Sequence, residues 1–194
     1  MVKDSCFSIF SSKFFAADMR KLFCTSVFFI FCVSAYAQLP VEPRPSPLAI
    51  AKMKHKNTYL KITYSQPHKN GREIFGTLVP YGKVWRTGAN EATEITLSDT
   101  VLIAGDSLAA GTYSIYTIPN KGKWTIIFNE EVGQWGAYNY LEKSDVLRVE
   151  VRSEIIRGVI WEPFTIKFEP HNGTADLLMM WDRTRVKIPI EFLD

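Results

Sequence analysis

Leu147-Arg148-Val149-Glu150-Val151-Arg152 alternates an aliphatic residue with a charged one at every step. Successive side chains of an extended strand point to opposite faces, so this stretch reads as a strand with one face in a core and one in water. The same period recurs on both sides of it. Leu60, Ile62 and Tyr64 alternate with Tyr59, Lys61 and Thr63, and Tyr113, Ile115 and Thr117 with Ser114 and Tyr116. Trp124, Ile126 and Phe128 alternate with Thr125 and Ile127. Downstream, Phe164, Ile166 and Phe168 alternate with Thr165, Lys167 and Glu169. Val186, Ile188, Ile190 and Phe192 alternate with Lys187, Pro189 and Glu191. Turn formers separate the runs. Pro119-Asn120-Lys121-Gly122 reads as a hairpin turn, Asp182-Arg183-Thr184 joins the last two runs, and Gly71 and Gly105-Asp106-Ser107 mark other turns. The expected fold is all-β: an antiparallel β-sandwich or jelly-roll-like domain of about 8–10 strands with at most one short helix, placed at 72–78.

Residues 1–37 read differently. Met19-Arg20-Lys21 is a short basic start, Leu22 to Val33 is an apolar run, and Ala35-Tyr36-Ala37 is a small-x-small exit before Gln38. Those are the three parts of a secretory signal. The run is short against the roughly 20 apolar residues of a bilayer span. A signal peptide cleaved after Ala37 is therefore expected, with translation starting at Met19 and 1–18 as an upstream extension. The expected location is secreted or periplasmic, with no membrane insertion after cleavage. Cys6, Cys24 and Cys32 all precede Ala37, so the mature chain has no disulfide to form and no cysteine-based metal site. Phe29-Ile30-Phe31 before Cys32 lacks the small residues of a lipidation site. Of the net charge of +3, the leader carries four basic residues (Lys3, Lys13, Arg20, Lys21) against two acidic ones (Asp4, Asp18). The remainder is nearly neutral and has no basic stripe of the kind nucleic acid requires. Pro40, Pro43, Pro45 and Pro47 favour extended, unpaired backbone, so 38–56 is expected as a tether and 57–194 as a single β domain.

Two clusters stand out for chemistry. In Trp85-Arg86-Thr87-Gly88-Ala89-Asn90-Glu91, Arg86 offers a planar fork for a carboxylate or phosphate, Asn90 donates and accepts, and Glu91 accepts or serves as a base. The competing structural reading pairs Arg86 with Glu91 or another acid and gives Asn90 a turn-closing role. In Gln134-Trp135-Gly136-Ala137-Tyr138-Asn139-Tyr140, flat aromatic faces beside glycine suit contact with a ligand such as a sugar ring; the alternative is a loop capping the end of the fold. His55, His68 and His171 have no metal-ligand spacing, and neither a nucleophile elbow nor a phosphate loop nor a dinucleotide fingerprint is present. Asn172-Gly173-Thr174 is a glycosylation sequon only in a eukaryotic secretory route.

Further motifs lie around the first cluster: Tyr64-Ser65-Gln66-Pro67, Gly71-Arg72-Glu73-Ile74-Phe75-Gly76, and Leu78-Val79-Pro80-Tyr81-Gly82-Lys83-Val84 leading into Trp85. Ala110-Gly111-Thr112-Tyr113-Ser114, Ile118-Pro119 and Trp124-Thr125-Ile126-Ile127 follow. Together they resemble the family catalogued as domain of unknown function 2911, found mainly in exported bacterial proteins. The resemblance covers about 46–192 and is most specific from Val84 to Glu91. It implies an exported bacterial β domain and brings no assigned activity and no catalytic residues.

The leading expectation is non-catalytic binding of a small polar ligand or glycan, with Trp85, Arg86, Asn90, Glu91, Trp135 and Tyr138 in contact, and no cofactor or metal. One alternative is a hydrolase or lyase with Glu91 as general base and Arg86 steadying developing negative charge. The other is a structural or protein-interaction module of the cell envelope.

Overall fold

Alternating residues hold a strand only where a neighbouring strand takes up their backbone N–H and C=O groups. A computed structural model describes residues 42–193 and shows where those partners are. The expected signal peptide, upstream extension and cysteines lie outside the described residues. Eleven strands follow in order: β1 (Leu48–His55), β2 (Thr58–Ser65), β3 (Thr93–Leu97), β4 (Val101–Ile103), β5 (Asp106–Leu108), β6 (Gly111–Pro119), β7 (Lys123–Asn129), β8 (Asp145–Ile155), β9 (Trp161–Pro170), β10 (Thr174–Asp182) and β11 (Thr184–Phe192). They form one antiparallel sheet in the order β1-β2-β3-β6-β7-β8-β11-β10-β9, with β4 on the end of β11 and β5 beyond it.

The fold is all-β, as the alternation requires, but its layering comes from one sheet curled nearly closed into a barrel-like shape. The chain leaving β2 meets β9: Phe164 N–H donates to Pro67 O at 2.8 Å, and Lys69 N–H to Glu162 O at 2.8 Å. The Tyr64 hydroxyl accepts from Ile166 N–H at 3.1 Å across the same seam. Closure of this kind protects an edge that would otherwise invite pairing.

Two elements differ from expectation. Leu48–His55, assigned from sequence to the tether, is strand β1, paired with β2 from Leu48↔Ser65 to His55↔Thr58. Its inward positions carry Ala49, buried Ala51 and Met53, while the larger Leu48 and Ile50 face outward, so the hydrophobic period of its sequence is blurred. Residues 72–78 form tight turns rather than a helix. Val79 N–H donates to Ile74 O at 2.9 Å and Gly76 N–H to Val79 O at 2.8 Å, and Ile74 is fully buried. The short helical turn is 3₁₀ and lies at Glu142–Ser144.

Aromatic side chains fill the interior. Trp85 stacks on Trp181 at 5.9 Å, Phe75 meets Trp124 edge-on at 4.8 Å, and Phe164 meets Trp85 at 5.1 Å. A second, smaller cluster lies on the outer face of β6 and β7, where Tyr116, Ile127 and Ala92 are buried against Val84, Ile118, Ala137 and Tyr140. That outer cluster carries the loops described next.

Candidate functional site

Residues 82–86 run antiparallel beside the end of β6. Gly82 N–H donates to Pro119 O at 2.9 Å, and Trp85 and Thr117 exchange bonds of 2.8 and 2.9 Å. Alternation from that pair turns Trp85 inward and Val84 and Arg86 outward, with Arg86 beside Tyr116 in the register. Trp85 is 8% exposed, and its indole N–H donates to Gly88 O at 3.0 Å. It supports the site from within the core and presents no face to a ligand.

Loop 87–92 then leaves the sheet and returns at Thr93. Thr93 N–H donates to Arg86 O at 3.1 Å and its hydroxyl to Thr87 O at 2.7 Å, closing the loop at its neck. Thr87 and Asn90 have positive φ, 55° and 56°, a conformation that Asn tolerates better than a β-branched residue. A Cβ on Gly88 would stand 2.9 Å from Ser65 O, so only glycine lets the loop lie this close to the end of β2.

The second loop, 130–144, folds back over the outer face of β6 and β7 and pairs with the first. Ala92 N–H donates to Gln134 O at 2.8 Å and Gly136 N–H to Asn90 O at 2.9 Å, with Glu91 opposite Trp135. This is the non-hydrogen-bonded kind of antiparallel pair, whose two side chains stand close together on one face. Trp135 is 58% exposed and Tyr138 83%. The Tyr138 ring lies against Gly136, where a Cβ would come within 2.8 Å of it.

The polar groups divide sharply. Glu91 accepts from Arg44 Nη1 at 2.8 and 3.2 Å and from the Ser65 hydroxyl at 3.3 Å. Its carboxyl is held below the usual carboxylate range by its own backbone N–H; burial opposes this, and Arg44 and Ser65 reinforce it. Asn90 Nδ2 donates to the Ser65 hydroxyl at 3.4 Å and to Ser46 O at 3.5 Å. Arg86 joins neither. Its side chain is half-buried, its Nε is buried without a hydrogen-bond partner, and it has no ion pair among the described residues.

Thus the structure brings Asn90, Glu91 and the 134–140 loop together on two paired loops, with Arg86 at the neck of the first, Trp135 and Tyr138 exposed and Trp85 behind. Sequence reasoning missed Arg44 and Ser65, which hold Glu91. Arg44 falls in the expected tether and Ser65 in the Tyr64–Pro67 motif, and nothing local in either marks a partner more than 20 residues away. Among the described residues, no group of three or more His, Cys, Asp or Glu stands close enough to hold a metal ion.

The family described as "Protein of unknown function (DUF2911)" matches residues 46–190, most of the chain. The chain belongs to the DUF2911 family. The DUF2911 match spans the strands from Leu48 almost to the end of β11, together with both loops of the site. No curated protein and no solved structure matches the chain.

Proposed function

We propose that this DUF2911 domain is a non-catalytic binding module for a small polar ligand or glycan, working as an exported protein of the envelope or extracellular space. The observation that carries the reading is the Glu91–Trp135 pairing. It sets an exposed indole on the same face as a fixed carboxylate, with Asn90 on the same loop, Arg86 at that loop's neck and Tyr138 close by in sequence. Sugar recognition uses this combination: an aromatic face for the ring's C–H surface and directional polar groups for its hydroxyls. The interior supports a surface site, because Trp85, Trp124, Trp181, Phe75 and Phe164 pack against one another there. The signal-like segment ending at Ala37 supports export.

Binding is favoured over hydrolysis by the state of Glu91. A general base works best with a pKa near the operating pH, and the Glu91 carboxyl is displaced in the opposite direction. It serves as a fixed anion that orients Arg44 and the loop.

A glycan array and thermal-shift screen of the purified protein tests the proposal. Trp135→Ala is expected to weaken each hit roughly tenfold, the upper range for loss of an aromatic platform. Hits that bind Trp135→Ala as well as the parent protein would remove the site from this surface.

A further inference from the structure

Arg86 carries a positive charge to which no described residue gives an ion pair or a hydrogen bond. Its Nε is buried without a partner, and it forms no ion pair among the described residues. Buried polar groups in folded proteins are almost always hydrogen-bonded, and a half-buried charge without a partner is costlier still. The acid nearest in sequence, Glu91, is held by Arg44 and Ser65 at 2.8 and 3.3 Å. The other acids around the two loops are engaged as well. Glu94 accepts from Gly133 N–H at 2.7 Å, Glu131 from the Ser144 hydroxyl at 3.2 Å, and Asp145 from Tyr140 at 2.6 Å.

We propose that Arg86 is an oxyanion receptor and that the ligand carries a carboxylate or phosphate group, as in a uronic acid or a sugar phosphate. This rests on the binding reading above and narrows it. The guanidinium fork matches both groups in two-point geometry, and a ligand meets it through the two Nη groups, which, unlike the Nε, are not buried and have no partner within the described residues. The exposed rings of Trp135 and Tyr138 at the rim take the ligand's apolar face, so that the acidic group and the ring bind at adjoining points.

The test follows the Arg86 Nε–Hε resonance of isotope-labelled protein by NMR during titration with glucuronate, glucose 1-phosphate, inorganic phosphate and neutral glucose. Calorimetry on Arg86→Gln and Arg86→Lys runs in parallel. The acidic sugars are expected to move the Nε–Hε resonance and to bind at least about tenfold tighter than glucose, the margin of a charge-assisted hydrogen bond. Arg86→Gln erases that margin, and Arg86→Lys keeps only part of it. Whether glucuronate or glucose 1-phosphate is favoured tells carboxylate from phosphate. Without ligand, Arg86→Gln melts at the same temperature as the parent or slightly higher, because no internal bond is lost. A fall of several degrees would make Arg86 structural and overturn the proposal. Equal binding of neutral and acidic sugars, unchanged in Arg86→Gln, overturns the oxyanion assignment and leaves glycan binding at Trp135 standing. Silence of the Arg86 resonance to every probe, with no sugar bound, removes both.

Discussion

Asp145 and Arg86 are charged side chains at the edges of the same outer cluster, and they are treated in opposite ways. Asp145, at the root of loop 130–144, has its side chain 5% exposed. It accepts from the Tyr140 hydroxyl at 2.6 Å, from Asn129 Nδ2 at 2.7 Å and from Arg148 at 3.0 Å. Asn129 binds both ends of the loop, donating also to Leu141 O at 2.9 Å while its Oδ1 accepts from Glu131 N–H at 2.9 Å. Arg86, at the neck of the loop paired with loop 130–144, has a buried Nε without a hydrogen-bond partner. A charge that holds a loop in place is surrounded by donors from within the chain. Arg86, the charge proposed to meet a ligand, has no such donors or acceptors, and the acid nearest to it in sequence, Glu91, is taken by Arg44. The largest expected effect follows at the root. Asp145→Ala leaves Arg148, Asn129 and Tyr140 without their shared acceptor and is expected to destabilise the fold by about 3 kcal/mol in urea unfolding. A loss under about 1 kcal/mol would erase the contrast.

Much of this architecture is legible in the sequence because strand alternation is local. The β6–β7 hairpin at Pro119–Gly122 and the β10–β11 turn at Asp182–Thr184 carry their own turn chemistry, and β8 shows its two faces residue by residue. The curling of the sheet is not local. It depends on Pro67 and Lys69 reaching β9 roughly a hundred residues away, and no periodicity records that. The site divides the same way. Arg86, Asn90, Glu91, Trp135 and Tyr138 stand out by residue type, and pairing of the two loops brings them together. Trp85 belongs to the same 85–91 cluster and is an aromatic expected to contact a ligand, yet adjacent residues of a strand face opposite sides. Only the Trp85–Thr117 pairing decides which one faces in.

A middle-sized effect sharpens the comparison at the root. The Tyr140 hydroxyl is pushed well above its ordinary range by burial, with the hydrogen bond to Asp145 and that residue's charge adding to it and Arg148 opposing. A folded-state pKa raised above the unfolded value near 10 means that the neutral phenol contributes fully below pH 10. The contribution is lost as pH rises from there through the folded value. Tyr140→Phe is therefore expected to cost about 1–2 kcal/mol at pH 7, and the gap from the parent should narrow above about pH 10. A gap independent of pH up to 11 would show that the hydroxyl does not bind Asp145 in solution.

The smallest effect belongs to the tip. Glu91 and Arg44 are 42% and 56% exposed in their side chains, so their ion pair is screened by water and holds little of the fold together. Glu91→Gln is expected to change stability by no more than about 0.5 kcal/mol. Its carboxyl lies below the usual range, so any contribution it makes is present above the unfolded carboxylate pKa and disappears only as pH falls through the depressed folded value. At neutral pH the residue is therefore an anion throughout, and its removal should register in binding rather than folding. With Glu91 gone the site gains net positive charge, and affinity for an acidic sugar should rise a few-fold at low salt, the gain shrinking as salt is added. If Glu91→Gln instead cost as much stability as Asp145→Ala, the tip would be a second latch built like the root. The unanswered charge on Arg86 would then need an explanation other than a ligand.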